Sequence, residues 1–380
     1  MRNIFSKYRK RQENQPEQNA ELEITPPEDS SADIPGEEIS SFTEATHKKL
    51  PFYRSWIPWK GDSRGEVVRK AICLAALCVF LVSAGMLISE LVVQPAEADK
   101  VANDIKKIYY QDPSSNTGSA ASSEPPERDA SGRLIKFVEL QKINADIKGW
   151  IRIPNTVIDY PVLQSGIKEP EYYLKRDYNK AYTKYGSIFL DARDNVLKPA
   201  SMQKNDILYG HSMQDGRMFA ALLNFGQMNV YKASPVITFD TVTQSSQWKI
   251  ISVFKTNTDE SQGKLFDYLR TDFKSDSDYM NFVYQCRIRS MIQTPVDFKP
   301  TDSIITLSTC SYEFDGFRTV VVARRVRSGE SETVDTAKAQ LNTKVLYPDC
   351  WYRKNGGKAP VWPDTYEQAK KQGLIDWEAK

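Results

Sequence analysis

Apolar and polar positions fall into distinct regimes along the chain. Up to about residue 50, large apolar residues are almost absent after Tyr8, and Glu, Pro, Ser, Gln and Asn dominate. Such a stretch buries too little surface to offset its ordering entropy, which predicts disorder. From Ala71 to Ser89 the pattern reverses into an uninterrupted apolar run without one charged residue. That is within the roughly 17–25 residues a helix needs to cross a hydrocarbon core. Val101, Ile105 and Ile108 then recur at helical spacing between Ala98 and Tyr110, and Gln111 to Arg133 reads as a flexible linker of Ser, Pro, Asp, Gly and Ala.

Beyond the linker the period shortens. Leu134, Phe137, Val138, Leu140 and Ile143 predict an amphipathic helix, after which short β-type runs take over. They are Trp150–Ile153, Val157–Leu163, Ser187–Leu190, Asp206–Tyr209, Val236–Phe239, Trp248–Phe254, Ser303–Thr309 and Thr319–Val326. Two helical patterns interrupt them. One follows His211, with Met218, Phe219, Leu222 and Leu223; the other runs from Ser277, as N-cap, to Arg289, with Tyr279, Phe282, Val283 and Cys286 on one face. Many short strands and few helices predict a mainly β fold, a barrel or a sandwich.

Charge orients the apolar run. Arg54, Lys60, Arg64, Arg69 and Lys70 precede it beside Trp56 and Trp59, whereas Glu90, Glu97 and Asp99 follow. The positive-inside rule therefore places the N-terminus in the cytoplasm and the β region outside. Over all 380 residues, 51 basic and 49 acidic side chains leave a net charge of +2, which gives no electrostatic case for nucleic acid. The content of 40% hydrophobic residues is ample for a real core. Of five cysteines, Cys73 and Cys78 fall in the apolar run, leaving Cys286, Cys310 and Cys350 for the folded part. A Cys286–Cys350 bridge stays open, but this is no disulfide scaffold. Scattered cysteines and one usable histidine do not form a metal site, and no glycine-rich phosphate loop is present, so no cofactor is expected.

Candidate chemistry gathers at one sheet edge. The run Ser303–Thr309 ends at Cys310, and Arg318 opens the next strand after a short link, Ser311 to Phe317, with Asp315-Gly316 as its turn signal. A cysteine nucleophile acts as its thiolate and needs a cation or base nearby. His47 lies in the cytoplasmic tail, so His211, which follows the strand Ile207–Gly210, is the imidazole left to the β region. Ser308 shares the strand face of Cys310 and either lines a substrate groove or fills space. Asp191 either orients His211 or is an ordinary turn carboxylate. Arg324, Arg325 and Arg327 are expected in surface salt bridges.

These residues resemble the sortase family, and within it class B. The signature Thr-Leu-x-Thr-Cys stands here as Thr306-Leu307-Ser308-Thr309-Cys310, with Arg318 and His211 matching the family's arginine and histidine. The segments Ile143–Ile151, Tyr160-Pro161-Val162, Gly186–Asp191 and Met218-Phe219, the N-terminal helix and the helix-bearing insertion before the cysteine strand point to class B. The resemblance implies an eight-stranded sortase-like β-barrel and a membrane-anchored, extracytoplasmic cysteine transpeptidase. It would cleave a C-terminal sorting signal on an exported protein after Thr, through a thioacyl intermediate. An amine of a peptidoglycan precursor or a pilin lysine would then take the acyl group. Cys310 would be the nucleophile, His211 the general acid and base, and Arg318 the oxyanion or backbone-binding cation. Water as acceptor would make the same site an endopeptidase, and an unreactive Cys310 would leave a surface-ligand binding domain. The implied organisation is a cytoplasmic tail over 1–70, a transmembrane helix over 71–93, a stalk and linker over 94–133, the catalytic barrel over 134–327 and a C-terminal extension over 328–380.

Overall fold

The computed structural model describes residues 52–110, 127–196 and 203–379. The stretch expected to be disordered up to about residue 50 and most of the expected linker, 111–126, lie outside the described residues. The chain divides into two units, Met1–Ala96 and Glu97–Lys380. In the first, helix α1 (Arg64–Ile88) starts at Ser63, whose side chain accepts from the Glu66 N–H, and passes into a π-helical turn, Ser89–Val93. Its apolar side chains point outward on every side; Ile72, Phe80, Leu81, Met86 and Leu87 are all exposed. By length and composition it can cross a membrane. Lys70, the buried cation near its start, donates to the Arg54 carbonyl and to Asp62, each at 2.8 Å.

The second unit begins within helix α2 (Gln94–Tyr110). Tyr109 stacks on Trp150 with ring centroids 4.1 Å apart and donates its hydroxyl to buried Asp240 at 2.6 Å. Helix α3 (Ile135–Ile143) completes this corner, where Ile105, Phe137, Leu140 and Trp150 share one cluster.

The body is a closed barrel of β1 (Ile147–Arg152), β2 (Asp159–Leu163), β3 (Ile188–Leu190), β4 (Asn205–Tyr209), β5 (Val236–Thr241), β6 (Gln247–Thr256), β8 (Ile304–Cys310) and β9 (Arg318–Arg325). Around the barrel the order is β1-β2-β3-β4-β8-β9-β6-β5. Closure, which leaves no sheet edge unpaired, settles the choice between barrel and sandwich. The pairing β4–β8 is parallel and β8–β9 antiparallel. A two-residue strand, β7 (Ile292–Gln293), pairs outside the barrel with β10 (Gln340–Leu341).

Alternation fixes which side chains go inside. Ile305 and Leu307 of β8, Val321 and Ala323 of β9, and Leu208 of β4 join the barrel interior. Ile304, Val320 and Val322 instead face outward, onto helix α5 (Asp276–Arg289). That helix is capped by Ser275, whose side chain accepts from the Asp278 N–H at 3.2 Å, not by the expected Ser277. Two acidic residues, Asp276 and Asp278, favour its first turn, and this pulls the start forward. The pattern after His211 gives a short 3-10 turn, Ala220–Asn224, and helix α4 (Met228–Ala233), because Gly226 separates them. The C-terminal segment contains helices α6 (Asp349–Asn355) and α7 (Tyr366–Lys371), and Leu346, Trp362, Tyr366, Ala369 and Trp377 pack into the α5 cluster.

Candidate active site

Two neighbouring strands and the loop after a third hold the three residues singled out by sequence. Cys310 is the last residue of β8 and lies directly opposite Arg318, the first of β9. On the other side of β8, Tyr209 of β4 is in register with Ser308. The ladder continues past the strand end: the Gly210 N–H donates to the Ser308 carbonyl at 3.3 Å, and the Thr309 hydroxyl donates to the Gly210 carbonyl at 2.8 Å. His211 follows Gly210 at the start of the loop beyond β4. Parity puts Cys310 and Arg318 on one face. Leu208 points inward, as does the space at Gly210, where an added Cβ would lie 2.4 Å from the Ile188 side chain. Cys310 and Arg318 point outward, like their strand mates Ile304, Val320 and Val322. Adjacent strands are about 4.8 Å apart, so the side chains of Cys310 and Arg318, level on one face, are within reach of a single small group.

Loops hold this edge. The Tyr312 hydroxyl donates to the Ser212 carbonyl, tying the turn after Cys310 to the loop after His211. The Ser311 N–H donates to the Phe317 carbonyl at 2.9 Å, closing the turn, and Gly316 takes φ +73° within it. Arg318 is only 6% exposed, and its guanidinium donates to the carbonyls of Gly316 and Phe317 at 3.1 and 2.9 Å. Cys310 is half-buried and a free thiol. Cys286, buried in the apolar face of α5, has its thiol pushed up to about 12 by burial, which keeps it unreactive. Cys350 is likewise buried and free, so the bridge left open by the sequence is absent.

The ring of His211 bonds through Nε2 to the Leu174 carbonyl at 2.7 Å. A carbonyl can only accept, so Nε2 carries a hydrogen in both charge states, and Nδ1 is the atom that gains and loses a proton. Burial holds the imidazole below its ordinary value of 6.5; the Leu174 bond opposes that shift and nearby Lys175 adds to it. Asp191 does not orient the ring. Its carboxylate is taken by Arg193, at 2.8 Å to each oxygen, and by the Tyr209 hydroxyl at 2.8 Å. The Arg193 partner also holds the Asp191 carboxyl below the usual carboxylate range against the cost of burial.

Ser308 is 4% exposed and within 2.9 Å of the hydroxyl of Tyr268, itself 5% exposed. Tyr268 comes from the irregular segment between β6 and α5 and lies within electrostatic reach of both Arg318 and Cys310. This segment is pinned across the site: Arg193 donates to the Leu269 carbonyl at 3.0 Å and Asn205 to the Arg270 carbonyl at 2.7 Å. Sequence reading missed Tyr268 because Phe266-Asp267-Tyr268-Leu269 has no period, and missed Leu174 because its contribution is a backbone carbonyl. Arg324 is not at the surface. It is wholly buried, donates to both oxygens of Glu330 at 2.7 Å and approaches Asp297 at 3.3 Å. Its even parity places it on the α5 face, where the turn after β9 brings Glu330 to it.

A thiol and a guanidinium on one face beside Tyr268, with an imidazole in the loop after the neighbouring strand, suit acyl transfer. Residues 151–326 match the family model described as Sortase domain. The chain is 38% identical to Sortase B of Staphylococcus aureus (strain NCTC 8325 / PS 47) over 194 residues, 50% of this chain and 75% of the relative. It is 32% identical to Sortase B of Listeria monocytogenes serovar 1/2a (strain ATCC BAA-679 / EGD-e) over 246 residues, 65% and 91% of the two chains. Among solved structures, the Staphylococcus aureus sortase B-substrate complex is similar with a TM-score of 0.52 at 30% identity, covering 62% of this chain and 99% of that one.

Proposed function

Because this chain belongs to the sortase family, as a class B member and hence a cysteine transpeptidase of cell-wall sorting, we propose that it cleaves a C-terminal sorting signal after Thr through a thioester on Cys310. The observation that carries this reading is the register that sets Cys310 opposite Arg318 on β8 and β9, with Gly210, the residue before His211, bonded to β8 at Ser308 and Thr309.

The Cys310 thiolate attacks the Thr carbonyl carbon, and the carbonyl electrons move onto oxygen, where the Arg318 guanidinium balances the charge. Collapse of this tetrahedral adduct breaks the C–N bond, and the departing amine takes its proton from His211 Nδ1. The incoming amine then gives a proton to Nδ1 as it attacks the thioester, and Cys310 leaves as thiolate. Competence needs thiolate and imidazolium together. The burial that depresses His211 therefore limits the competent fraction at neutral pH, and the Leu174 carbonyl partly restores it. Ser308 and Tyr268 form the floor and wall against which the peptide lies.

The substrates are exported proteins bearing such a signal, in keeping with a relative solved with its substrate. The acceptor is an amine of a peptidoglycan precursor or a pilin lysine. Residues 71–93 anchor the enzyme in the membrane with the N-terminus cytoplasmic, 94–133 serve as stalk and linker, and 134–327 form the extracytoplasmic catalytic barrel ahead of the 328–380 extension. Incubation of the detergent-solubilised full chain with Leu-Pro-x-Thr-Gly-like and Asn-Pro-x-Thr-like peptides plus an amine tests this. Cleavage after Thr with capture of the amine is expected, and is lost in Cys310→Ala, His211→Ala and Arg318→Ala. Normal cleavage by Cys310→Ala would overturn it, and release of only free acid would make the enzyme an endopeptidase.

A further inference from the structure

The family match ends at residue 326, yet helix α6, beyond it, reaches back to the turn that carries Arg318. Lys354 donates to the Glu313 carbonyl at 3.1 Å and sits 4.8 Å over the Phe314 ring. Phe314 in turn lies 4.7 Å from Phe317 and 6.4 Å from Trp351, which stacks on Tyr347 at 4.2 Å. The same helix grips the loop after β6. Arg353 donates to the Ser261 carbonyl at 3.0 Å, and the start of α6 comes so close to Gly263 that an added Cβ there would be 2.7 Å from the Asp349 nitrogen. That loop also holds the Arg318 turn, because Gln262 donates to the Asp315 carbonyl at 2.7 Å and Thr258 to the Gly316 carbonyl at 2.8 Å. Gly316 and Phe317 are the residues whose carbonyls receive the Arg318 guanidinium.

From this chain of contacts we propose that α6 is a brace for the active site and that Lys354 is a positioning residue: it holds the Ser311–Phe317 turn so that the Arg318 guanidinium stays aimed at the reacting carbonyl. Lys354 touches no substrate. It acts through the turn, and so on transition-state stabilisation more than on peptide affinity. This inference rests on the transpeptidase reading above.

The test measures kcat, KM, Cys310 alkylation and hydrogen exchange of residues 311–317 in the full chain. Lys354→Ala should lower kcat about three- to tenfold with KM within about twofold, the size of one exposed cation–π contact and one hydrogen bond. Exchange across the turn should quicken, while Cys310 alkylation stays at the parent rate. Lys354→Arg, which keeps a donor and a planar cation, should restore kcat. In an Arg318→Lys background the Lys354→Ala effect should shrink below about twofold, because both changes act through one guanidinium. Unchanged kcat in Lys354→Ala, or a full effect in the Arg318→Lys background, overturns the brace while the parent still turns over. No turnover by the parent overturns the transpeptidase reading, and the brace with it.

Discussion

Replacing Gly186 with alanine should disable catalysis from the far side of the His211 ring. Gly186 holds φ +58°, a left-handed conformation that costs an alanine about 1–2 kcal/mol. Its added Cβ would lie 2.2 Å from the Leu174 oxygen, 2.8 Å from the Leu174 carbonyl carbon and 3.0 Å from the Tyr173 oxygen, all backbone atoms. Relief of that clash requires a shift of roughly 1 Å to regain ordinary contact distance. The Leu174 oxygen is the acceptor of the His211 Nε2–H at 2.7 Å, so such a shift takes it out of hydrogen-bond range. Overpacking adds about 1–3 kcal/mol, and at about 2–4 °C per kcal/mol melting should fall by several degrees. A catalytic group misplaced by about 1 Å costs on the order of 100-fold, so kcat should drop by that order. The pH profile adds a second signature. The Leu174 bond raises the His211 pKa, so its loss must lower that value further and move the imidazole limb to lower pH. Ile158→Val, in the barrel interior away from His211, should cost about 0.5–1.5 kcal/mol and leave kcat alone. Steady-state kinetics from pH 5 to 9 with thermal melts decide the matter. A Gly186→Ala enzyme with parental kcat and an unmoved profile would refute the role assigned to the Leu174 carbonyl.

Tyr268→Phe strands the buried Ser308 hydroxyl and should cost about 1–3 kcal/mol, whereas Tyr268→Phe with Ser308→Ala removes both partners and should recover most of it; an additive double variant would contradict the pairing. Glu330→Ala leaves the buried Arg324 guanidinium with the Arg325 carbonyl and a single carboxylate, Asp297, and should destabilise by about 2–5 kcal/mol in denaturant melts. Because Lys249 and Arg324 hold the Glu330 carboxyl below its ordinary 4.5, that stabilisation is complete above pH 4.5 and lost as pH falls through the folded value. The gap between parent and variant should therefore close in acid, and a gap constant with pH would exclude the ion pair as its source. Iodoacetamide on the native protein should label Cys310 well before Cys286, read by peptide mass mapping; early labelling of Cys286 would mean that the α5 packing opens.

Much of this site was legible because strand parity is a property of sequence. Counting by twos from Ile305 and Leu307 fixes Ser308 and Cys310 on the opposite face, and the Asp315-Gly316 turn brings Arg318 beside the thiol. The apolar helix was equally legible, since a run without charge needs no tertiary context. What failed depended on contacts distant in sequence. Asp191 was free to be a histidine partner until Arg193, two residues on, and Tyr209 claimed it. Arg324 read as a surface cation because neither α5 packing on β9 nor the return of Glu330 shows in a local window. Tyr268 and Lys354 lie far from the cysteine strand in sequence, so only the folded chain reveals that Tyr268 meets Ser308 and that Lys354 meets the turn between Cys310 and Arg318.

The central claim is that Cys310 carries the acyl group. Intact-mass spectrometry of the full chain, quenched in acid during turnover of a Thr-containing sorting peptide, tests it most directly. The account predicts a covalent adduct equal in mass to the peptide up to Thr, mapped to Cys310, discharged when an amine is added and missing in Cys310→Ala. Turnover with amine withheld that leaves no such adduct on the quenched enzyme, or an adduct that persists in Cys310→Ala, would contradict it.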